Sequence, residues 1–227
     1  TRIPNPLYNS SAEEFTVNFW VKPVSRSKWG DIFSLFEGTT PTANRGRFYI
    51  TDNSYIGYNG GAGWFDINHP DTVTYYDIPL GKWSMVTLTA SSSGVQLYVN
   101  GYPHAAKRWN SGTGGTEDDF NYTGMISDIN NYPYMYFGTG SWWGSSECYL
   151  SNLQVFDRSL GESDIQALKA QPAYIRGDAN GDGEVGMPDV MFVVNYILGT
   201  PAATFNEKNA DANLDGEIGM PDVMFID

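Results

Sequence analysis

The strongest constraint in this sequence is a repeat close to its C-terminus. Residues 178–192 read DANGDGEVGMPDVMF and residues 211–225 read DANLDGEIGMPDVMF, an offset of 33 with two differences in fifteen positions, Gly181 against Leu214 and Val185 against Ile218. Two copies this alike predict two copies of one local structure, packed together to bury a face that neither could bury alone. The acids fall at fixed spacings within each copy, which separates them from a solvating acidic tail.

Each copy has the form D-x-N-x-D-G-x-hydrophobic with an acid at the twelfth position. That is the pattern of an EF-hand loop with Asp in place of Glu at its end. A calcium ion takes about six to eight oxygens, supplied by a loop that folds back on itself. In the first copy Asp178, Asn180 and Asp182 supply side-chain oxygens, Glu184 its backbone carbonyl, and Asp189 closes the shell. Gly183 permits the sharp turn between them. Gly186 offers no side chain, which leaves its place to water. The second copy repeats the set with Asp211, Asn213, Asp215, Gly216, Glu217, Gly219 and Asp222. Val185 and Ile218 are expected to pair across the two loops. One Asp/Asn/Gly-rich stretch alone reads equally well as a solvated turn. Two copies with every ligand position filled read as two calcium sites.

A helix start follows each loop. Pro188 and Pro221 fall within the first turn, where the missing N–H is harmless. Val190 to Leu198 are apolar on nearly every side apart from Asn195, and Gly199 ends the helix. A helix of that composition must be covered by something. The sequence runs five residues past Asp222, so the second helix is expected to be truncated.

At these residues the chain resembles type I dockerin domains, which are paired loop-and-helix units; the resemblance covers about residues 174–227 and includes Tyr196-Ile197-Leu198-Gly199. It implies two calcium ions as cofactor. It also implies an adaptor that plugs an exported protein, secreted or on a bacterial cell surface, into a cohesin-bearing scaffold. Many dockerins carry small hydroxyl residues just before the closing Asp. Here those positions are Met187-Pro188 and Met220-Pro221, a departure that bears on cohesin recognition. A cohesin-like partner and packing within the chain both stay open as the role of this unit.

The remaining sequence is of a different kind. The formal net charge of −13 over 227 residues includes ten acids and two bases within 172–227. A chain this acidic cannot displace counterions from phosphates, which argues against nucleic acid. Cys148 is the single cysteine, so no intrachain disulfide can form, and it reads as a buried thiol in a strand. No apolar run approaches the ~20 residues of a membrane span. The opening TRIPNPLYNSS reads as the entry to a domain and not as a targeting segment.

Residues 15–157 read as β. Phe15, Val17, Phe19 and Val21 alternate with polar or amphipathic residues, and Pro23 closes the strand. Further strands are expected at Phe48–Thr51, Val86–Ala90, Val95–Val99, Tyr134–Phe137 and Leu150–Phe156. Asn100-Gly101 is a tight-turn signal, because both residues tolerate positive φ. Segments 52–72 and 109–132 show little periodicity and read as long loops. A short helix is expected at Ser163–Ala170, capped by Ser163 and stopped before Pro172. Many short strands with polar turns predict an all-β jelly-roll sandwich over 1–171, joined to a small α-helical, EF-hand-like domain over 172–227.

Three segments carry a second resemblance: FTVNFWVKP at 15–23, WSMVTLTASSSGVQLYVNGY at 83–102, and LSNLQVFDRSLGESDIQAL at 150–168. Together they resemble the concanavalin A-like, laminin-G-like jelly roll of many secreted carbohydrate-active proteins. Trp20 and Trp83 belong to these segments and read as scaffold. The fold hosts lectins, glycanases and protein-binding modules alike, so function must be argued from a site.

Laminarinase-type hydrolases of this fold carry Glu-x-Asp-x-x-Glu on a strand. The nearest match, Glu117-Asp118-Asp119, lacks the final Glu and sits in a Gly/Thr-rich stretch. His69 and His104 lie beside turn residues and read as surface groups. The chain is therefore read as noncatalytic. Glycan binding has a positive argument: aromatic faces stack on the C–H face of a sugar ring while polar groups fix its hydroxyls. Trp64, Trp109, Trp142 and Trp143 lie among polar, glycine-rich residues, and Tyr102 follows the Asn-Gly turn. Any one of them is also a natural packing residue. Asp52, Asp66 and Asp128 are candidate ligands for a further calcium in the jelly roll. The reading is an exported, lectin-like protein. A protein-adhesion module is the alternative, and a glycoside hydrolase is the third.

Overall fold

The computed structural model describes residues 2–25, 31–36, 47–51, 56–59, 65–66, 78–103, 109–110, 115–116, 122–138, 147–171 and 173–226. The chain divides into two compact units, Thr1–Ala170 and Gln171–Asp227.

In the first unit the described strands are β1 (Arg2–Pro4), β2 (Phe15–Pro23), β3 (Asp31–Phe36), β4 (Arg47–Thr51), β5 (Ile56–Asn59), β6 (Phe65–Asp66), β7 (Ser84–Ser91), β8 (Gly94–Val99), β9 (Tyr102–Pro103), β10 (Trp109–Asn110), β11 (Gly115–Thr116), β12 (Tyr134–Phe137) and β13 (Cys148–Phe156). Two helices join them, α1 (Tyr122–Asn131) and α2 (Glu162–Lys169). The strands form two antiparallel sheets, one ordered β1-β12-β3-β4-β5-β6-β10-β11 and the other β13-β2-β7-β8-β9. This is the expected jelly-roll sandwich.

The core lies between the sheets, and the alternation of β2 sets it. Phe15, Val17, Phe19 and Val21 are fully buried and meet Val86, Leu88 and Ala90 of β7, with Phe33 and Leu35 of β3 and Met135 and Phe137 of β12. Three rings lock the centre: Phe19 lies 6.0 Å from Phe33 and 5.6 Å from Phe137, and Phe33 lies 5.2 Å from Phe137.

The other face of β2 is not solvent-exposed, as simple alternation would have it. Thr16 and Asn18 are buried, as are Thr87 and Thr89 on β7. Leu160 and α2 residues Ile165 and Leu168 form a second core there with Met85, supported by Trp20, Tyr98 and Phe156. Buried polar groups need partners. The Thr87 hydroxyl donates to Asn18 Oδ1 at 2.6 Å, and Asn18 Nδ2 donates to Gln154 Oε1 at 2.9 Å. The cap of α2 is Gly161, without a side-chain hydrogen bond, so Ser163 lies inside the first turn and is not the N-cap. At the β8–β9 turn Asn100 and Gly101 have φ of 52° and 78°, as the sequence predicts. The Gly101 carbonyl accepts from Gln166 Nε2 at 2.6 Å, which ties α2 to the turn.

Segments read from sequence as loops contain structure. Within 52–72 lie β5 and β6, and within 109–132 lie β10, β11 and α1. The local signal for α1 is weak because YTGMISDINN holds Gly, Thr, Asp and Asn, poor helix formers. Its last carbonyls are satisfied from far away. Asn5 Nδ2 donates to the Ile129 carbonyl at 2.6 Å and to that of Tyr132 at 2.8 Å, and the Asn9 amide donates to the Asn130 carbonyl at 2.7 Å.

The second unit holds α3 (Met187–Ile197), α4 (Glu207–Ala210) and α5 (Met220–Val223). Its core is Ala179, Val193, Ala210, Ala212 and Ile226, with Val185 and Ile218 both packed against it. The two repeats are cross-linked through backbone. The Gly177 amide donates to the Asn209 carbonyl at 2.8 Å and the Asn206 amide to the Ala179 carbonyl at 2.9 Å. Arg176 Nε donates to the Ala212 carbonyl. Tyr196 stacks on Phe205 at 4.6 Å. The apolar helix α3 is covered on one side only: Val193 is buried, while Met187, Met191 and Ile197 are exposed.

Candidate functional site

The two repeat loops are built the same way. In the first, the Asp178 carboxylate accepts from the amides of Gly181 at 2.8 Å, Asp182 at 3.1 Å and Gly183 at 3.1 Å. Asn180 Oδ1 accepts from the Asp182 amide at 2.7 Å, and Asp182 Oδ1 from the Glu184 amide at 2.9 Å. The Asp189 carboxylate reaches back to the amides of Asn180 at 3.0 Å and Gly186 at 2.9 Å. Gly186 is the N-cap of α3, so the closing Asp also caps the helix that leaves the loop. Gly183 has φ of 89°, at the position that needs it.

The second loop matches. Asp211 accepts from the amides of Asp215 at 3.1 Å and Gly216 at 3.0 Å, and Asp222 from those of Asn213 at 3.1 Å and Gly219 at 2.8 Å. Asn213 Oδ1 accepts from the Asp215 amide, and Asp215 Oδ1 from the Glu217 amide, both at 2.8 Å. Every donor in these bonds is a neutral amide. Positive φ recurs at the fourth loop position, 77° at Gly181 and 64° at Leu214, a requirement that the sequence comparison does not expose.

The electrostatics fit a cation. Asp178, Asp189 and Asp222 are only 2%, 1% and 1% exposed. Burial pushes the Asp178 carboxyl above the usual carboxylate range, the Gly183 and Gly181 amides oppose that rise, and the charges of Asp189 and Asp182 add to it. Among the described residues no three acidic, histidine or cysteine side chains converge into a chelating group by themselves. Each loop also carries an asparagine oxygen, Asn180 or Asn213, and the side chains of Glu184 and Glu217, whose backbone carbonyls are the expected ligands, are exposed. Hard oxygen donors of mixed charge in a loop are the donor set for calcium.

In the jelly roll, Tyr102 is 65% exposed on β9, at the edge of the five-stranded sheet, with Lys169 Nζ 4.3 Å from its ring centroid. Trp109 is on β10 in the other sheet, so these two candidates do not share a sheet face. Trp64, Trp142 and Trp143 lie outside the described residues, as do Asp52, His69, His104 and Glu117-Asp118-Asp119. Asp128 is on α1, while Asp66 pairs with Trp109. Cys148 is half-buried on β13, where burial raises its thiol pKa.

The register reveals a grouping that no local pattern shows. An unbroken row of cross-strand neighbours runs Arg2, Tyr136, Ser34, Tyr49, Gly57, Asp66, Trp109, Thr116 across all eight strands. By strand alternation its members Ser34 and Tyr136 lie on the side opposite Leu35 and Met135, which belong to the core. Ser34 and Tyr136 in this row are buried, and Arg2 is exposed.

This chain belongs to the concanavalin A-like lectin/glucanases superfamily, whose family model matches residues 2–166. The dockerin type I domain matches residues 176–227, and type I dockerin domains bind calcium. No curated protein matches the chain. Among solved structures it is similar to domain 4 of AbnA, a GH43 extracellular arabinanase from Geobacillus stearothermophilus, determined in complex with arabinotriose. The TM-score is 0.52 at 18% identity, covering 74% of this chain and 71% of that one. The sialidase of Trypanosoma rangeli matches with a TM-score of 0.42 at 17% identity, over 70% of this chain and 23% of the sialidase. A SAP-like pentraxin from Limulus polyphemus matches with a TM-score of 0.40 at 19% identity, over 70% of each chain. At these identities the similarity is one of fold. Among the described residues no helix is long and apolar enough to cross a membrane.

Proposed function

We propose that the jelly roll binds a glycan without cleaving it, and that the dockerin unit, with one calcium ion in each loop, attaches it to a partner protein outside the cell. Asp178, Asn180, Asp182, Glu184 and Asp189 hold the first ion; Asp211, Asn213, Asp215, Glu217 and Asp222 hold the second. The ions supply positive charge that organises each loop.

The observation that carries the glycan reading is the register of the eight-stranded sheet, in which Trp109 pairs with Asp66, and Asp66 with Gly57 on its other side. An aromatic residue beside an acid is the composition of a sugar subsite. The arabinanase domain of similar fold, determined with arabinotriose, supports the same use of the fold here. The noncatalytic reading rests on the sequence: Glu117-Asp118-Asp119 lacks the second Glu that a paired-carboxylate mechanism needs.

Screening the whole protein against soluble and insoluble glycans, arabinan among them, tests this. Trp109→Ala should weaken binding about tenfold, the loss of one ring stack worth ~1.4 kcal/mol. No binding across a broad set would move the assignment to protein adhesion. Release of new reducing ends would make the chain a hydrolase.

The docking reading rests on the repeated Met-Pro pair. Met187 is 71% exposed and Met220 59%, at equivalent loop positions, with exposed Met191 and Met224 four residues on. Residues four apart share a helix face, and methionine adapts to an apolar partner surface. Met187→Asp combined with Met220→Asp should weaken capture by purified cohesin-bearing scaffolds at least a hundredfold while calcium binding is retained. Unchanged capture would remove these residues from the interface.

A further inference from the structure

We propose that the two calcium loops fill at different concentrations, the first loop before the second, and that Leu214 sets the gap. The inference rests on the calcium reading of both loops. They carry identical ligand types, so affinity must be separated by something other than the donors. The two sequence differences within the repeat are Gly181 against Leu214 and Val185 against Ile218. The second pair exchanges one apolar residue for another, both packed on the same core. The first pair falls where the backbone is left-handed, with φ of 77° at Gly181 and 64° at Leu214. Glycine adopts that conformation freely, whereas an L side chain disfavours it.

The hydrogen bonds follow the same division. Asp178, the first ligand of the first loop, accepts three backbone amides, one of them from Gly181, and is buried. Among the described residues Asp211 accepts two, from Asp215 and Gly216, and is half-buried. The third amide would be that of Leu214. The first loop is thus held closed around its leading carboxylate without strain. The second must keep a leucine left-handed to present its own. Leu214 is exposed and contributes no ligand, so it supplies nothing that offsets this.

The geometry also makes the exchange experiment clean. A Cβ added at Gly181 meets nothing within 4 Å, so Gly181→Leu introduces the backbone preference with no clash at Cβ. The whole protein would be titrated with calcium chloride in chelator-buffered solution, following the amide resonances of Gly183 and Gly216 as separate reporters. Gly183 should reach half-saturation at about tenfold lower free calcium than Gly216, the expected effect of one left-handed L residue. Leu214→Gly should move the Gly216 midpoint down to that of Gly183, and Gly181→Leu should move the Gly183 midpoint up by about tenfold. Coincident midpoints in the unaltered protein, or a Gly216 midpoint unmoved by Leu214→Gly, would overturn the inference while leaving calcium binding intact. Failure of either resonance to respond to calcium would overturn the calcium reading itself.

Discussion

Removing calcium from both loops with a chelator is expected to unfold residues 171–227, which one ion in the first loop keeps folded, while the jelly roll stays folded. The core of the small unit is thin. Its buried apolar residues are Ala179, Val193, Ala210, Ala212 and Ile226, three of them alanines. A unit of this size has little apolar surface to bury, and such domains commonly depend on metal. Against that core stand the buried carboxylates of Asp178, Asp189 and Asp222, and neutral amides cannot cancel their charge. An ion present at a thousand times its dissociation constant contributes about 4 kcal/mol of stability per site. One ion in each loop, as proposed, would supply an amount comparable with the ~5–15 kcal/mol total of an ordinary domain. The sign of the proton effect follows. The Asp178 carboxyl is pushed up in the metal-free fold, so that fold binds a proton more tightly than the unfolded chain does. The cost of its charge is present at neutral pH and is relieved as pH falls through the raised value, where protons also compete with calcium. Circular dichroism and limited proteolysis in chelator measure the outcome. A helical signal and a protease-resistant 171–227 fragment that both survive chelation would sink the idea.

Truncating Phe19 to alanine is expected to destabilise the jelly roll by about 3–5 kcal/mol, the range for emptying a fully buried aromatic site. Phe19 is wholly buried, and its ring touches Phe33 and Phe137 from the opposite sheet. The loss combines transfer of the ring to water, a cavity between two sheets that cannot collapse onto each other, and two aromatic contacts. Thermal unfolding of this unit should fall by roughly 10 °C. The calcium-dependent transition of the other unit should stay where it is, which separates a local core defect from general misfolding. A shift below about 1 kcal/mol in denaturant unfolding would show that the three-ring cluster is not central to stability.

The parts of the fold legible in the sequence are those set by short-range rules. The repeat exposes both loops because chelation needs fixed spacing, and φ beyond 50° at Asn100-Gly101 matches what a two-residue hairpin demands. The inward residues of β2, β7 and β8 follow from alternation. Other features are not local. Thr16 and Asn18 read as outward and are buried, because α2 closes over that face and supplies apolar cover. The helix α1 is a weak sequence whose carbonyls are capped by Asn5 and Asn9, neighbours in space that are far away in sequence. The short strands β6, β10 and β11 have two residues each, too few for any periodicity to appear.

The candidate sites divide in the same way. Every expected ligand of the calcium loops lies within twelve consecutive residues, so the chain alone determined their identity and order. The sequence also determined that the two loops differ at Gly181 and Leu214. That this difference falls on a left-handed backbone position was decided by the folded loop. The row joining Arg2 to Thr116 through Trp109 and Asp66 exists only once eight strands are in register, because each neighbour comes from a different strand. Spacing along a chain specifies a chelating loop; a sheet face is assembled by hydrogen-bond register between segments far apart in sequence, and only the tertiary structure decides it.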